Sequence, residues 1–217
     1  MKRSFIIPTV IALIFIFNGV GMAQLTQEQK QFSDKVLWPV FADIADNYPI
    51  QKIRGEFKLV GEESLKHRFY FILSSNDQMK ILASAGIKDN KNIIVIFVPL
   101  AMKIFKEKGL EIFKDMMIIA LLHEYYHVSH DLRLPDRKPE QLIQYESAAY
   151  WHECEELIGP MLKAGRLAGL PEQDFTLRLW RIFKKANGDK NDPVWRNFIS
   201  SLVSSLVADF QKIEQTP

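Results

Sequence analysis

Met116-Met117-Ile118-Ile119-Ala120-Leu121-Leu122-His123-Glu124-Tyr125-Tyr126-His127 is the stretch on which the fold turns. Its first seven residues carry no polar side chain. A helix that is apolar on every face belongs in the middle of its domain, because no face is suited to water. The surrounding chain supports one helix from Leu110 to about Leu132. His123 and His127 stand four apart, so both imidazoles share one helix face. Glu124 follows the first histidine and projects toward the same side. An ionised glutamate without a partner in such a helix costs several kcal/mol.

Downstream, Leu134-Pro135-Asp136-Arg137-Lys138 reads as a loop. Pro139 suits the first turn of the next helix, which the pattern carries to Leu157 and ends at Gly159-Pro160. Three helical stretches follow, near 160–168, 172–187 and 193–213, separated by Gly169-Leu170-Pro171 and Gly188-Asp189. Upstream, the run from Ile93 to Val98 reads as a buried strand stopped by Pro99. Residues 55–60 and 67–73 read as two strands joined by the polar turn Gly61-Glu62-Glu63. Residues 77–85 suggest a short helix ending at Gly86, and Asp89-Asn90-Lys91-Asn92 a turn. Thr26 with Gln29 makes a capping box, so a helix starts near Gln27 and runs to Trp38. Pro39 bends or ends it, and a shorter stretch from Val40 to Asp46 stops at Pro49. Helix, then strands, then helices is an α+β order: a small sheet packed on a mostly helical body around one central helix.

At 217 residues, 47% hydrophobic and 25% charged, the chain has ordinary globular composition, which excludes collagen-like and disordered classes. Its 28 basic residues exceed its 26 acidic ones by two, and Lys2 and Arg3 account for the whole excess. A neutral remainder offers no basic stripe for phosphates, so no nucleic-acid partner is expected. Those two cations open a secretory signal pattern: an apolar region from Phe5 to Phe17, then Gly21-Met22-Ala23 as a cleavage site. The expected organisation is a signal peptide over 1–23 and a single domain over 24–217, helical from about 160. The product is exported, periplasmic or secreted. The alternative is an uncleaved membrane anchor over residues 5–25. One cysteine, Cys154, excludes an intrachain disulfide and reads as a small buried hydrophobe. Phe175, Leu179, Trp180, Phe183, Trp195, Phe198, Leu202 and Leu206 read as helical packing, or as cover for a cleft or partner.

The chemistry gathers at His123-Glu124-Tyr125-Tyr126-His127, an HExxH sequence. This spacing offers two imidazoles to a zinc ion and a carboxylate to a water beside it. A catalytic zinc site needs a third protein ligand. Glu146, in Tyr145-Glu146-Ser147-Ala148-Ala149-Tyr150, lies on the apolar stripe of its helix beside Leu142, Ile143, Ala149 and Tyr150. Ala148 and Ala149 would let this helix come close to the central one. Glu153, Glu140 and His130 are the alternatives as third ligand. Glu153, one heptad after Glu146, could instead support a ligand from behind. Asp131, four after His127, could orient an imidazole. His130 could do the same or merely cap the helix end. Tyr150 and His130 are candidate oxyanion donors. Tyr125, Tyr126, Tyr150 and Trp151 read as core or pocket wall, and His152 as exposed.

From Ile93 to Leu157 these residues resemble the zincin metallopeptidases, in particular the gluzincin branch that includes thermolysin-like enzymes. The resemblance implies a small zincin-like sheet, with an edge strand such as Ile93–Val98 aligning a peptide or protein substrate. It implies Zn2+ held by His123, His127 and Glu146, and an exported peptidase in which Glu124 is the general base toward a metal-activated water. Better-known members place Asp four residues after the ligand glutamate, where this chain has Tyr150. The metzincin pattern fails, because position 130 is His rather than Gly. The competing class is a catalytically inactive zincin-like binding or scaffold protein of the envelope.

Overall fold

In the computed structural model the described residues are 25–47, 50–53, 56–59, 69–88, 91–130 and 139–214. The signal segment 1–23, most of the alternative anchor, Pro49, the turn at 61–63, Asp131 and the loop at 134–138 lie outside them. Among the described residues, no helix is long and apolar enough to cross a membrane.

The helix α1 (Gln27–Phe32) opens with the expected capping box. Thr26 Oγ1 accepts from the Gln29 N–H at 3.2 Å, and Gln29 Oε1 accepts from the Thr26 N–H at 2.9 Å. Pro39 does not end the run. A π-helical turn over Ser33–Leu37 leads directly into α2 (Trp38–Asn47). Proline lacks an N–H and crowds the carbonyl four residues back, and the wider π turn just ahead makes room for it.

Five strands follow: β1 (Ile50–Ile53), β2 (Glu56–Leu59), β3 (Phe69–Ser74), β4 (Ala83–Lys88) and β5 (Lys91–Phe97). They form one mixed sheet in the order β1-β2-β3-β5-β4. β3 and β5 run parallel, with Phe71 opposite Ile94, and the other pairs are antiparallel. The two strands expected at 55–60 and 67–73 are β2 and β3. The expected helix at 77–85 is not formed. The Asn76 Oδ1 accepts from the Gln78 N–H at 2.9 Å in a local turn, and the chain then enters β4. Ala83, Ser84 and Ala85 suit a helix by propensity. The apolar strand β5, however, has to be covered on both edges, and β4 supplies the second. It follows that Ile93–Val98 is not the edge strand. β5 is internal, and β4 is the edge.

The helix α3 (Val98–Ser129) crosses the middle of the molecule and touches α1, α2, β4 and β5. Pro99 does not exclude helix here, because it stands in the first turn, where its N–H has no helical partner to lose. Gly109, with φ 78° and ψ 176°, breaks the run, so that the site-bearing portion begins at Leu110 as expected. Phe32 of α1 packs on rings either side of the break, 5.6 Å from Phe105 and 6.0 Å from Phe113. Two ion pairs span the same region, Lys108 with Asp174 at 3.1 Å and Arg166 with Asp115. Met116 to Leu121 are all buried.

On the far side of α3 lies α4 (Pro139–Glu153), started by Pro139 as expected. It does not stop at Gly159-Pro160. A second π-helical turn, Cys154–Ile158, carries it into α5 (Gly159–Lys163). Gly159 is required by packing rather than by termination: a Cβ there would stand 2.8 Å from Trp180 Cη2. Then come α6 (Phe175–Lys185) and α7 (Pro193–Glu214). Trp195 is fully buried on α7, 5.1 Å from the Trp151 ring, and its Nε1 donates to Ser147 Oγ at 2.8 Å. The C-terminal helices thus pack onto α4 and brace it from outside. Cys154 is buried, and burial pushes its thiol well above the usual range. The whole is α+β, mostly helical with a small mixed sheet.

The break at Gly109 lies in a backbone region that is almost reserved for glycine. Gly109→Ala is expected to lower stability by about 1–3 kcal/mol. Nothing lies within 4 Å of the added methyl, so a clash would not account for the loss. Urea unfolding of the two proteins measures it, and equal midpoints would refute the strain.

Candidate metal centre

Two helices make the site. α3 brings His123, Glu124 and His127, and α4 brings Glu146 and Glu153. His123, His127 and Glu146 offer ligand atoms within 4.8 Å of one another, and all three are buried. Glu146 reaches α3 because Ala149 and Tyr150 on the same face are themselves fully buried against the core. Tyr150 lies against His123, with ring centroids 4.5 Å apart.

The Nε2 atoms of His123 and His127 face each other at 3.0 Å. Glu146 straddles them, Oε2 at 3.4 Å from His123 Nε2 and Oε1 at 3.5 Å from His127 Nε2. Behind His123, Glu153 Oε2 lies 2.8 Å from Nδ1. A carboxylate only accepts, so Nδ1 carries a proton toward Glu153, and a metal ion would take the place of the second proton on Nε2. Ligands about 2.0–2.1 Å from a tetrahedral ion stand about 3.3–3.4 Å from one another. The three separations bracket that spacing.

The electrostatics ask for a cation. Three carboxylates, those of Glu124, Glu146 and Glu153, share a dry volume with two imidazoles. Burial opposes charge on His123, but Glu146 and Glu153 outweigh it and push its pKa up to about 10. Burial likewise opposes ionisation of Glu146, yet His127 and His123 hold its carboxyl down at about 2. Glu124 goes the other way. Burial pushes it up to about 8, Glu146 adds to the rise, and His123 and the Ala85 N–H work against it. Burial also raises Glu153, against the pull of His123. Glu146 Oε2 and Glu124 Oε1 are buried with no hydrogen-bond partner among the described residues. Acceptors left over beside two imidazoles fit a metal ion, with His123, His127 and Glu146 as the groups that could hold it.

The other expected residues fall as follows. Glu153 takes the place behind His123, seven residues after Glu146. Glu140 is exposed at the start of α4. His130 is not in the site: it is exposed, its Nδ1 lies 3.0 Å from the Tyr126 carbonyl, and its ring stacks on Tyr126. It is not one of the residues that could hold the ion. His152 is exposed as expected, beside the other side chains around Tyr126. Tyr125 and Tyr126 are half-buried. One group escaped the sequence reading altogether. The main-chain N–H of Ala85, on β4, donates to Glu124 Oε2 at 2.6 Å. No side chain announces a backbone donor, and the residues of its strand favour helix by local preference.

With this geometry established, comparison with known proteins adds no family: no family model, no curated protein and no solved structure matches the chain.

Two results are expected. Zinc added to metal-stripped protein at one hundred times its Kd should raise stability by about 2.7 kcal/mol, read as a higher Tm, with no gain in His123→Ala or Glu146→Ala. Unchanged zinc content in Glu146→Ala would remove it from the ligand set. Glu153→Gln should weaken zinc affinity about 10–100-fold while the protein stays folded, measured by competition with a chelator.

Proposed function

We propose that the protein is an exported zinc-dependent peptidase. The observation that carries this reading is the division of labour within one helix turn. His123 and His127 turn their Nε2 atoms toward Glu146, whereas Glu124 lies beside the group that could hold the ion and is not part of it. A bound zinc ion supplies a Lewis acid that polarises a carbonyl and makes a water molecule acidic. Glu124 is placed to take a proton from the attacking water and return it to the leaving amine. Glu153 keeps His123 in the tautomer that leaves Nε2 available.

A peptide is favoured as substrate by the sheet. β4 is an edge strand next to Glu124, and an extended chain could pair with the outward groups of such an edge other than the Ala85 N–H, which Glu124 takes. The neutral charge balance favours no nucleic-acid partner, and the N-terminal signal pattern supports export to the periplasm or medium. Membrane attachment belongs to the reading only if residues 5–25 stay uncleaved. The resemblance to gluzincins points the same way.

The second reading is a catalytically silent, zincin-like envelope scaffold with a structural metal. One observation favours it: His123, Glu124, His127 and Glu146 are each no more than 1% exposed. Structural zinc sites are closed, and catalytic ones keep a position for water. One experiment separates the two. Zinc-loaded wild type should hydrolyse an unstructured protein such as casein. Glu124→Gln should keep its zinc and lose turnover by about 10²–10⁴-fold. Full zinc occupancy without hydrolysis in the wild type would favour the scaffold.

A further inference from the structure

The edge strand β4 has an alternation that the contacts settle. The Phe97 N–H donates to the Leu82 carbonyl at 3.1 Å, so Leu82 faces β5. Successive residues of an antiparallel strand point their backbone groups to opposite sides. Ser84 and Gly86 therefore also face β5, and Ala83 and Ala85 face away from it. The Ala85 N–H is thus free of the ladder and would be a buried donor without a partner. It meets Glu124 Oε2 at 2.6 Å, short even for a hydrogen bond to a charged acceptor. Ala85 is itself fully buried. The approach is possible because Ala83, Ser84, Ala85 and Gly86 put little bulk between β4 and α3. A backbone donor has no rotamer. It ties one oxygen of Glu124 to the sheet, and the other, Oε1, is left buried without a hydrogen-bond partner.

We propose that the main-chain N–H of Ala85 is the positioning group for Glu124, anchoring Oε2 so that Oε1 is the oxygen presented to the reacting water. The proposal rests on the peptidase reading for its chemistry, but the contact itself can be tested without turnover. The sheet then takes part in the reaction through a main-chain atom. Glu124 acts through one fixed oxygen instead of a freely turning carboxylate. Fixed placement of a base within a few tenths of an ångström is the kind of constraint that rates depend on.

Two arms test it on the full zinc-loaded chain. By NMR, the Ala85 amide proton should lie far downfield and be protected from exchange. In Glu124→Ala it should move upfield and exchange at least about tenfold faster. An Ala85 amide that keeps its shift and protection in Glu124→Ala would overturn the proposal, whatever the protein does to peptides. In kinetics, Ala85→Pro removes the donor without removing a ladder bond, since that N–H does not face β5. It should lower kcat about 10–100-fold with KM within about twofold and zinc content unchanged. Unchanged kcat would also overturn it. If Ala85→Pro fails to fold, Glu124→Asp serves instead. Its shorter carboxylate should release the Ala85 amide and lose kcat together, and loss of kcat with the amide still held would count against the proposal. A wild type with zinc but no turnover defeats the peptidase reading and leaves the NMR arm to decide the contact.

Discussion

Carboxylates and imidazoles with almost no access to water constrain everything around them. Glu124, Glu146 and Glu153 are buried beside His123 and His127, in a helix whose preceding turns are wholly apolar. Each charge must find a partner inside the protein, because water cannot supply one. That requirement dictates how closely α4 approaches α3, and why Ala149 stands between Glu146 and Glu153 on the inner face. It also dictates that an edge strand of small residues comes within hydrogen-bonding distance of Glu124. The outer helices follow from this. α7 reaches over α4 with Trp195 and binds Ser147, next in sequence to Glu146, so the carboxylate is backed by a rigid aromatic cluster.

The N-terminal half of the molecule answers a different part of the same demand. α3 has to be long enough to run through the core and still deliver His123 and His127 at its inner end. Gly109 divides it, and contacts from elsewhere splint the division: Phe32 from α1, and Lys108 with Asp174 from the segment after α5. Asp174 serves twice, since its other oxygen accepts from the Thr176 N–H and caps α6. The helix that carries the site is thus held at its hinge by both ends of the fold.

Much of this could be read from residue order. The apolar run before His123 gave the central helix, the four-residue spacing gave the shared face, and the apolar neighbours of Glu146 singled it out from the other acids. Glu153 was legible as one heptad farther along the same stripe. What escaped reading has physical reasons. β4 is built of residues whose local preference is helical, and only the need of β5 for a neighbour makes it a strand. Pro39, Pro99 and Pro160 read as stops, yet each sits where its missing N–H costs little: one in a first turn, two just after a widened turn. His130 sits at helical spacing from His127 but beyond the buried part of α3, so it meets Tyr126 and solvent instead of the site. The Ala85 donor belongs to the main chain, and residue types carry no trace of it.

The widened turn at Cys154–Ile158 has a consequence for the division of space. It closes with the Gly159 N–H on the Cys154 carbonyl, five residues back where an ordinary turn has four. Along α4 the inward positions are Glu146, Ala149, Tyr150 and Glu153, and an unbroken α-helix would next turn Leu157 inward. The surplus residue advances the phase, so that Ile158 and Met161 are buried instead and Leu157 is only half-covered. The same register shift brings Gly159 beneath the Trp180 ring. A single run of helix therefore changes clients partway along its length: its first part is a wall of the candidate metal centre, and its last part is the seat of an aromatic scaffold.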